Sequence, residues 1–442
     1  MTRLLVQTQL SNYDKNGKFI LECDSGWQMV MGRVREMLRL NPKLKVDVMC
    51  PSLCYGHNDV SQVVTSPDVL NADLVATGRV RFIQHWIEPN ALQTRYDFNV
   101  SALADAIGLG LHKNFPDRKY DAVYINDPMH LRAFKAMFLL KAGYRPRFYV
   151  HSHFVDVPEC PKFPTEASLW LGQCEAAVKA DFNFWQCGSA LEEFLRSMRK
   201  WFRDDVVDSV LAKSMPWDDG YSQGEITSPI DMRKVRFSVE RWQELTRRKD
   251  VVFFPNRISP SSGDYTNGMK FMFDILPELR KRRQDFVVVC GNPNQKFTNA
   301  ELQERCGQHG YVSLVPDSLN RDEFKFVARH SDVAVGLYDK DAYGGTAARE
   351  CIELGCMPLW LDLNEYSSLA REAKVGDLVL AKPDFSDLGD KLFALLDLQA
   401  GRGPVHPSNF DNAQQDLREV VQRRCSYEAT TEGAMFEMGL LP

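Results

Sequence analysis

The chain has no CxxC pair, no low-complexity tract and no internal repeat of short period, and no uncharged apolar run reaches the roughly 18 to 20 residues of a membrane span. It also lacks any surplus of positive charge. Against 54 Lys and Arg stand 59 Asp and Glu, a formal net charge of −5 over 442 residues, which excludes a globally basic nucleic-acid coat. Met1-Thr2-Arg3-Leu4-Leu5-Val6-Gln7 leads into a strand-like segment rather than a signal-peptide pattern, so a cytoplasmic location is expected. The eleven cysteines are odd in number and scattered through apolar segments, as expected of buried free thiols rather than of a disulfide framework or a structural zinc site.

What is present is a globular composition, 44% hydrophobic and 26% charged, on a chain long enough for two or three domains. Short β-branched runs alternate with segments of helical period. Strands are expected at 3–10, 44–49, 122–125, 147–151 and 182–186, with helices at 27–40, 101–112, 131–142, 165–180 and 189–202; residues 51–95 read as mixed. A polar stretch, 204–249, reads as a domain connection. The alternation then restarts with strands at 250–255, 286–290, 311–315 and 333–337 and helices at 268–281, 299–309, 321–330 and 346–354. Such alternation predicts an α/β protein of two doubly wound parallel sheets, facing across a cleft where open sheets bind ligands at their strand C-termini.

Several patterns are candidates for chemistry. Arg257, at the end of a strand and ahead of a helix opening at Asn267-Gly268, can fork onto a diphosphate; its alternative is a solvated loop arginine. Tyr343-Gly344-Gly345-Thr346 precedes a helix that carries Glu350 one turn in. Glycine amides there can approach a phosphate and the glutamate can accept from a ribose diol, although a Gly-Gly turn before a helix is common. His151 and His153, two apart on an extended segment, point to one side; a metal pair, a structural pair and an acid/base or substrate-contacting pair all stay open. Asp339 and Asp341 form a DxD triplet, a weak alternative for a divalent cation. Arg196, Arg199, Lys200 and Arg203 on one amphipathic helix, with Arg233, Lys234 and Arg236, could track phosphates or a membrane surface, or form a solvated face.

These residues resemble the GT-B glycosyltransferases. The helix of Glu350 followed by Gly355-Cys356-Met357-Pro358 is similar to that family's ribose-binding segment, and the run from Pro255 to Leu276 to its phosphate loop and helix. A narrower likeness is to the DNA α-glucosyltransferases of T-even bacteriophages, carried in order by Ala122-Val123-Tyr124-Ile125-Asn126, Phe148 to His153, Met232 to Arg236, Asn267 to Asp274 and Glu350 to Pro358. The chain departs from that pattern at Ser152, where the family has aspartate, at Asn267, where it has lysine, and at Ala342, where it has glutamate.

The resemblance implies two Rossmann-like domains: 1–235 binding the acceptor, 236–411 binding the nucleotide-sugar, and a helical segment 412–442 packing back across the junction. It implies transfer of a hexosyl or pentosyl group from a UDP-sugar to a hydroxyl, with retention of configuration and no required cofactor. Arg257 and His151 take the catalytic roles; Arg257, Asn267, Lys270, Val315, Tyr343, Gly344, Gly345, Thr346 and Glu350 bind the donor; Asn126, Asp127 and His153 contact acceptor or sugar. The expected acceptor is a hydroxymethylated pyrimidine in duplex DNA. A lipid-linked or surface glycan is the alternative, and a catalytically silent nucleotide- or DNA-binding module is the reading from another class.

Overall fold

The structure, a computed structural model, describes residues 2–8, 19–51, 63–85, 119–153, 155, 157–158, 167–258, 267–293, 311–315, 319–338, 345–402 and 407–441, and for Arg257 and a few others the backbone alone. The chain forms two compact units, residues 1–219 with 427–442, and residues 220–426. Sequence reasoning placed the division at 235/236. The difference arises because helix Gln223–Thr227 and the turn Met232–Lys234 pack with the second unit, Arg321 pairing with Glu225 and Asn320 donating to the Lys234 carbonyl, contacts that polarity alone does not reveal.

Unit 1 contains seven strands: β1 Arg3–Gln7, β2 Lys45–Pro51, β3 Val80–His85, β4 Ala122–Ile125, β5 Arg147–Ser152, β6 Phe182–Trp185 and β7 Ser214–Pro216, ordered β3-β2-β1-β4-β5-β6-β7 and all parallel. Parallel neighbours need long crossovers, which helices Ser25–Leu40, Ala167–Lys179, Gly188–Met198 and Asp204–Leu211 help to supply. Helices cover both faces, so the strand interiors are mostly apolar. Leu4 and Val6 enter one core cluster and Leu5 the other, as the two-residue pleat requires. The C-terminal helix Tyr427–Glu437 closes the first of these cores with Ala434 and Met435. It lies so close to helix Ser25–Leu40 that a Cβ on Gly32 would collide with the Tyr427 ring.

Unit 2 repeats the plan with β8 Asp250–Ile258, β9 Phe286–Pro293, β10 Tyr311–Ser313, β11 Val333–Gly336, β12 Met357–Leu361 and β13 Leu380–Ala381, ordered β10-β9-β8-β11-β12-β13. The expected helix 268–281 is in fact Asn267–Lys270, a π-turn Phe271–Ile275 and helix Leu276–Arg282. Pro277 explains the break, since it has no N–H for the Phe273 carbonyl one turn back and its ring crowds that oxygen. The expected segment 412–442 is the end of helix Pro407–Cys425, packed in unit 2, and helix Tyr427–Glu437, packed in unit 1. The expected helices 101–112 and 299–309 lie outside the described residues. Among the described residues no helix is long and apolar enough to cross a membrane.

Strand order reverses between β1 and β4 in unit 1 and between β8 and β11 in unit 2. Open α/β sheets bind ligands beyond the strand C-termini at such reversals. The candidate residues cluster there.

Candidate functional site

In unit 2, β11 runs out through Leu337 and Tyr338, and the chain re-enters the described structure at Gly345, the residue capping helix Thr346–Glu353. Two tyrosines build this helix start. The Tyr338 and Tyr366 rings stack with centroids 5.2 Å apart, and a Cβ on Gly345 would collide with the Tyr338 ring, 2.1 Å from its Cε1 and Cζ. The Tyr366 hydroxyl accepts from the Gly345 amide at 2.5 Å and donates back to its carbonyl at 2.9 Å, while the Ala348 amide bonds the Tyr338 hydroxyl. This corrects one expectation: the Gly345 amide is committed to Tyr366 instead of facing open space for a phosphate. Thr346 is half-buried in the first turn.

Glu350 is buried, and Arg321 grips both its oxygens, Nη1 donating to Oε2 at 2.8 Å and Nη2 to Oε1 at 2.7 Å. Asn267 donates to the Tyr338 carbonyl at 3.2 Å, so its side chain ties the helix it opens to the end of β11. Lys270, expected to add positive charge near the phosphate, packs against an aromatic ring. Its ammonium sits 4.6 Å above the Phe385 ring. Val315 is buried directly after β10. The backbone of Arg257 pairs with Asn292 across a register shift between Phe254 and Arg257; its guanidinium lies outside the description, as do Tyr343, Gly344, Asp339 and Asp341.

In unit 1 a buried polar network occupies the C-terminal edge of the sheet. Its hub is Arg33, fully buried in helix Ser25–Leu40. Nη1 donates to the Tyr124 hydroxyl at 2.7 Å, and Nη2 reaches the carbonyls of Trp217 and Asp218, both at 2.9 Å, and the Asp219 carboxylate at 3.3 Å. Its guanidinium stacks 4.3 Å from the Trp217 ring. Tyr124 passes the chain of bonds on to Asn126, whose amide N–H donates to Gln7 at 2.9 Å, so the ends of β1 and β4 are joined through side chains. Asp127 accepts from the Met129 amide at 3.1 Å, capping the turn that follows β4.

His151 and His153 do share one side of β5, with ring centroids 4.6 Å apart. Nδ1 of His153 lies 3.1 Å from Asp219, and Nε2 of His151 lies 3.1 Å from the Trp217 carbonyl and 3.2 Å from Arg33. Burial, then the Arg33 charge and then His153 push the His151 pKa well below the ordinary imidazole range, with the Trp217 carbonyl opposing. His151 is therefore neutral near pH 7, a hydrogen-bonding group rather than a reservoir of charge. His151, His153 and Asp219 bring three ligand atoms within 4.8 Å of one another. The set does not fit a dication, because the Arg33 guanidinium already contacts Asp219 and His151 and supplies the positive charge there.

Sequence reasoning missed Arg33, Asp219 and Arg321. A signal existed for Arg33: it falls at helical spacing between Val30 and Met37, on the buried stripe of an otherwise amphipathic helix.

The proposed phosphate-tracking residues are mostly engaged within the protein. Arg196 pairs with Glu193, Arg203 with Asp205 at 2.9 Å, Arg233 with Asp231 at 2.8 Å, and Arg236 with buried Glu323 at 2.8 Å. Lys200 also has a partner. Arg199 and Lys234 have no ion pair among the described residues, and they lie in different units.

No family model matches the chain, and no curated protein sequence is similar to it. Solved structures are. OtsA without ligand aligns over 99% of both chains with TM-score 0.65 and 13% identity. The UDP-forming trehalose-phosphate synthase of Burkholderia xenovorans, in complex with glucose-6-phosphate, aligns over 99% of this chain and 100% of its own, with TM-score 0.64 and 12% identity. HepE from Anabaena, bound to UDP-glucose, gives 0.61 and 11% over the same shares. At these identities the likeness shows the fold: two Rossmann-like units of GT-B architecture.

Proposed function

We propose that this chain is a glycosyltransferase that takes its sugar from a UDP-sugar. The observation that carries the reading is Glu350: a buried carboxylate beyond the strand-order reversal of unit 2, on the helix that follows β11, gripped at both oxygens by a guanidinium fork. A carboxylate there suits a ribose diol, and among the structural relatives HepE is solved with UDP-glucose and a trehalose-6-phosphate protein from E. coli with UDP-2-fluoro-glucose. Arg257 is assigned to the diphosphate, where its charge would stabilise the leaving group as the glycosidic bond breaks. Asn267, Lys270, Val315, Tyr343, Gly344, Gly345 and Thr346 are assigned to the rest of the donor, with the Asn267 side chain and the Gly345 amide also bonded within the protein. In unit 1, neutral His151 is the group assigned to the sugar, with the His153 ring beside it, and Asn126 and Asp127 after β4 are assigned to the acceptor. Retention of configuration follows the family resemblance.

For the acceptor, a small hydroxylated molecule such as a sugar or sugar phosphate comes first, in keeping with the glucose-6-phosphate complex of the Burkholderia relative. Hydroxymethylated DNA is the second reading, and Arg199 and Lys234 are what favour it. The test incubates the full chain with labelled UDP-sugars and, in separate arms, glucose, glucose-6-phosphate, a lipid-linked glycan, and plain and hydroxymethylated duplex DNA, with and without chelator. Products are read by mass spectrometry and their anomeric configuration by NMR. Transfer lost in Arg257→Ala and weakened in Glu350→Ala supports the proposal. No transfer with any donor, together with no UDP binding by calorimetry, rejects it in favour of a silent module.

A further inference from the structure

Glu350 is not an isolated acceptor. Arg321 is the first residue of helix Arg321–Arg329, whose start is fixed by a reciprocal cap between Asn320 and Glu323. From that anchored position one edge of its guanidinium forks onto Glu350, and the other, through Nε, lies 2.8 and 2.9 Å from the two oxygens of Glu225. The cation thus sits between two carboxylates. Burial works against its charge, Glu350 and Glu225 more than offset that, and its pKa is raised well above the ordinary value, so the guanidinium never gives up its proton. Arg321 is one-third exposed, 33%, while the Glu350 side chain beneath it is 8% exposed.

Lone-pair counting gives this arrangement a consequence. An ionised carboxylate offers about four lone-pair positions, two on each oxygen. The Arg321 fork takes one from each, leaving one on each. Two O–H groups on adjacent carbons need such a matched pair, one per oxygen. We propose that Arg321 is a positioning residue for the nucleotide ribose: it orients the Glu350 carboxylate with one open lone pair per oxygen, so that unit 2 selects a ribonucleotide carrying both 2′ and 3′ hydroxyls over its 2′-deoxy counterpart. This rests on the donor-site reading of Glu350. A 2′-deoxy ligand leaves one lone pair of a nearly buried carboxylate without a donor, a loss of about tenfold or more in affinity.

The test is calorimetric titration of the full chain with UDP and with 2′-deoxy-UDP, for the natural protein, Glu350→Ala, Arg321→Met and Arg321→Lys, with circular dichroism melts to check folding. The natural protein should prefer UDP by about tenfold or more, Glu350→Ala should weaken UDP and erase the preference, and Arg321→Met should erase it while Glu350 is still present. Arg321→Lys keeps the charge without the fork and should lose most of the preference; it carries the test if Arg321→Met does not fold. Unchanged preference in a folded Arg321 variant overturns the inference. So does tighter UDP binding, which would make Arg321 a competitor for Glu350. If Glu350→Ala leaves UDP binding intact, the donor-site reading itself falls; if that variant weakens binding and the Arg321 variants do not, only the positioning role falls.

Discussion

Replacing Arg33 with methionine removes the hub of unit 1 while keeping an unbranched side chain of similar reach. Four acceptors lose their donor: the Tyr124 hydroxyl at 2.7 Å, the Trp217 and Asp218 carbonyls at 2.9 Å and the Asp219 carboxylate at 3.3 Å. Asp219 keeps His153 but loses its formal positive partner. Removing one partner of a buried ion pair costs about 3 to 5 kcal/mol, a large share of the roughly 5 to 15 kcal/mol that holds an ordinary domain folded. With a urea dependence of about 1 to 3 kcal/mol per molar, the unfolding midpoint of unit 1 should fall by about 1 to 2 M or more. The chain has two units and need not unfold in one step, so circular dichroism alone is not sufficient. Hydrogen-exchange mass spectrometry locates the loss: peptides covering β4, β5 and β7 should lose protection while those of β8 to β12 keep theirs. A midpoint within about 0.2 M of the natural protein, or equal loss of protection in both units, would refute the hub role.

Three further outcomes are expected. Gly345→Ala must displace the Tyr338 and Tyr366 pair and should destabilise unit 2 by about 1 to 3 kcal/mol in thermal melts, lowering UDP affinity as well; a neutral result would contradict the packing described. Arg236→Ala strips a partner from fully buried Glu323 and should cost about 2 kcal/mol by urea titration, whether or not DNA is present. His151 is depressed in the folded state, so the unfolded chain takes up its proton first: its contribution is complete above about pH 6.5 and declines as pH falls toward the folded value. Unfolding midpoints measured from pH 8 to 5 should therefore drop below pH 6.5, and His151→Gln should flatten that part of the profile.

The parallel sheets were legible where strands are buried on both faces, because β1, β4, β5 and β11 read as continuous apolar runs. Four strands, β3, β7, β12 and β13, escaped, two of them for identifiable reasons. β12 carries Pro358, which argues against a strand between two neighbours, and β3 interrupts its apolar pattern with Arg81, whose charge is met by Asp47 at 2.8 Å on β2. At the candidate site, the histidine pair was visible because its spacing is local. Arg33 meets His151 across 118 positions and Asp219 across 186, and Arg321 reaches Glu225 across 96. Such pairs are created by the crossover topology, and no local periodicity encodes them. The commitment of the Gly345 amide to Tyr366 was hidden for the same reason, since the glycine pattern fits a phosphate loop and a tyrosine-packed turn equally well.

The chain enters unit 2 at Gly220 and leaves it at Ser426, and these ends meet: Tyr221 bridges to Ser426, its amide donating to the Cys425 carbonyl at 3.3 Å. Unit 2 is thus an insertion whose entry and exit are neighbours, the arrangement that lets a segment fold on its own once synthesised. Unit 1 has no such independence. Ala434, Met435, Met438 and Leu440 belong to the same core as Leu4 and Val6, so the sheet of unit 1 is completed only after the chain that follows unit 2 has been made. Truncation of the final helix should accordingly damage the beginning of the chain and leave the middle intact.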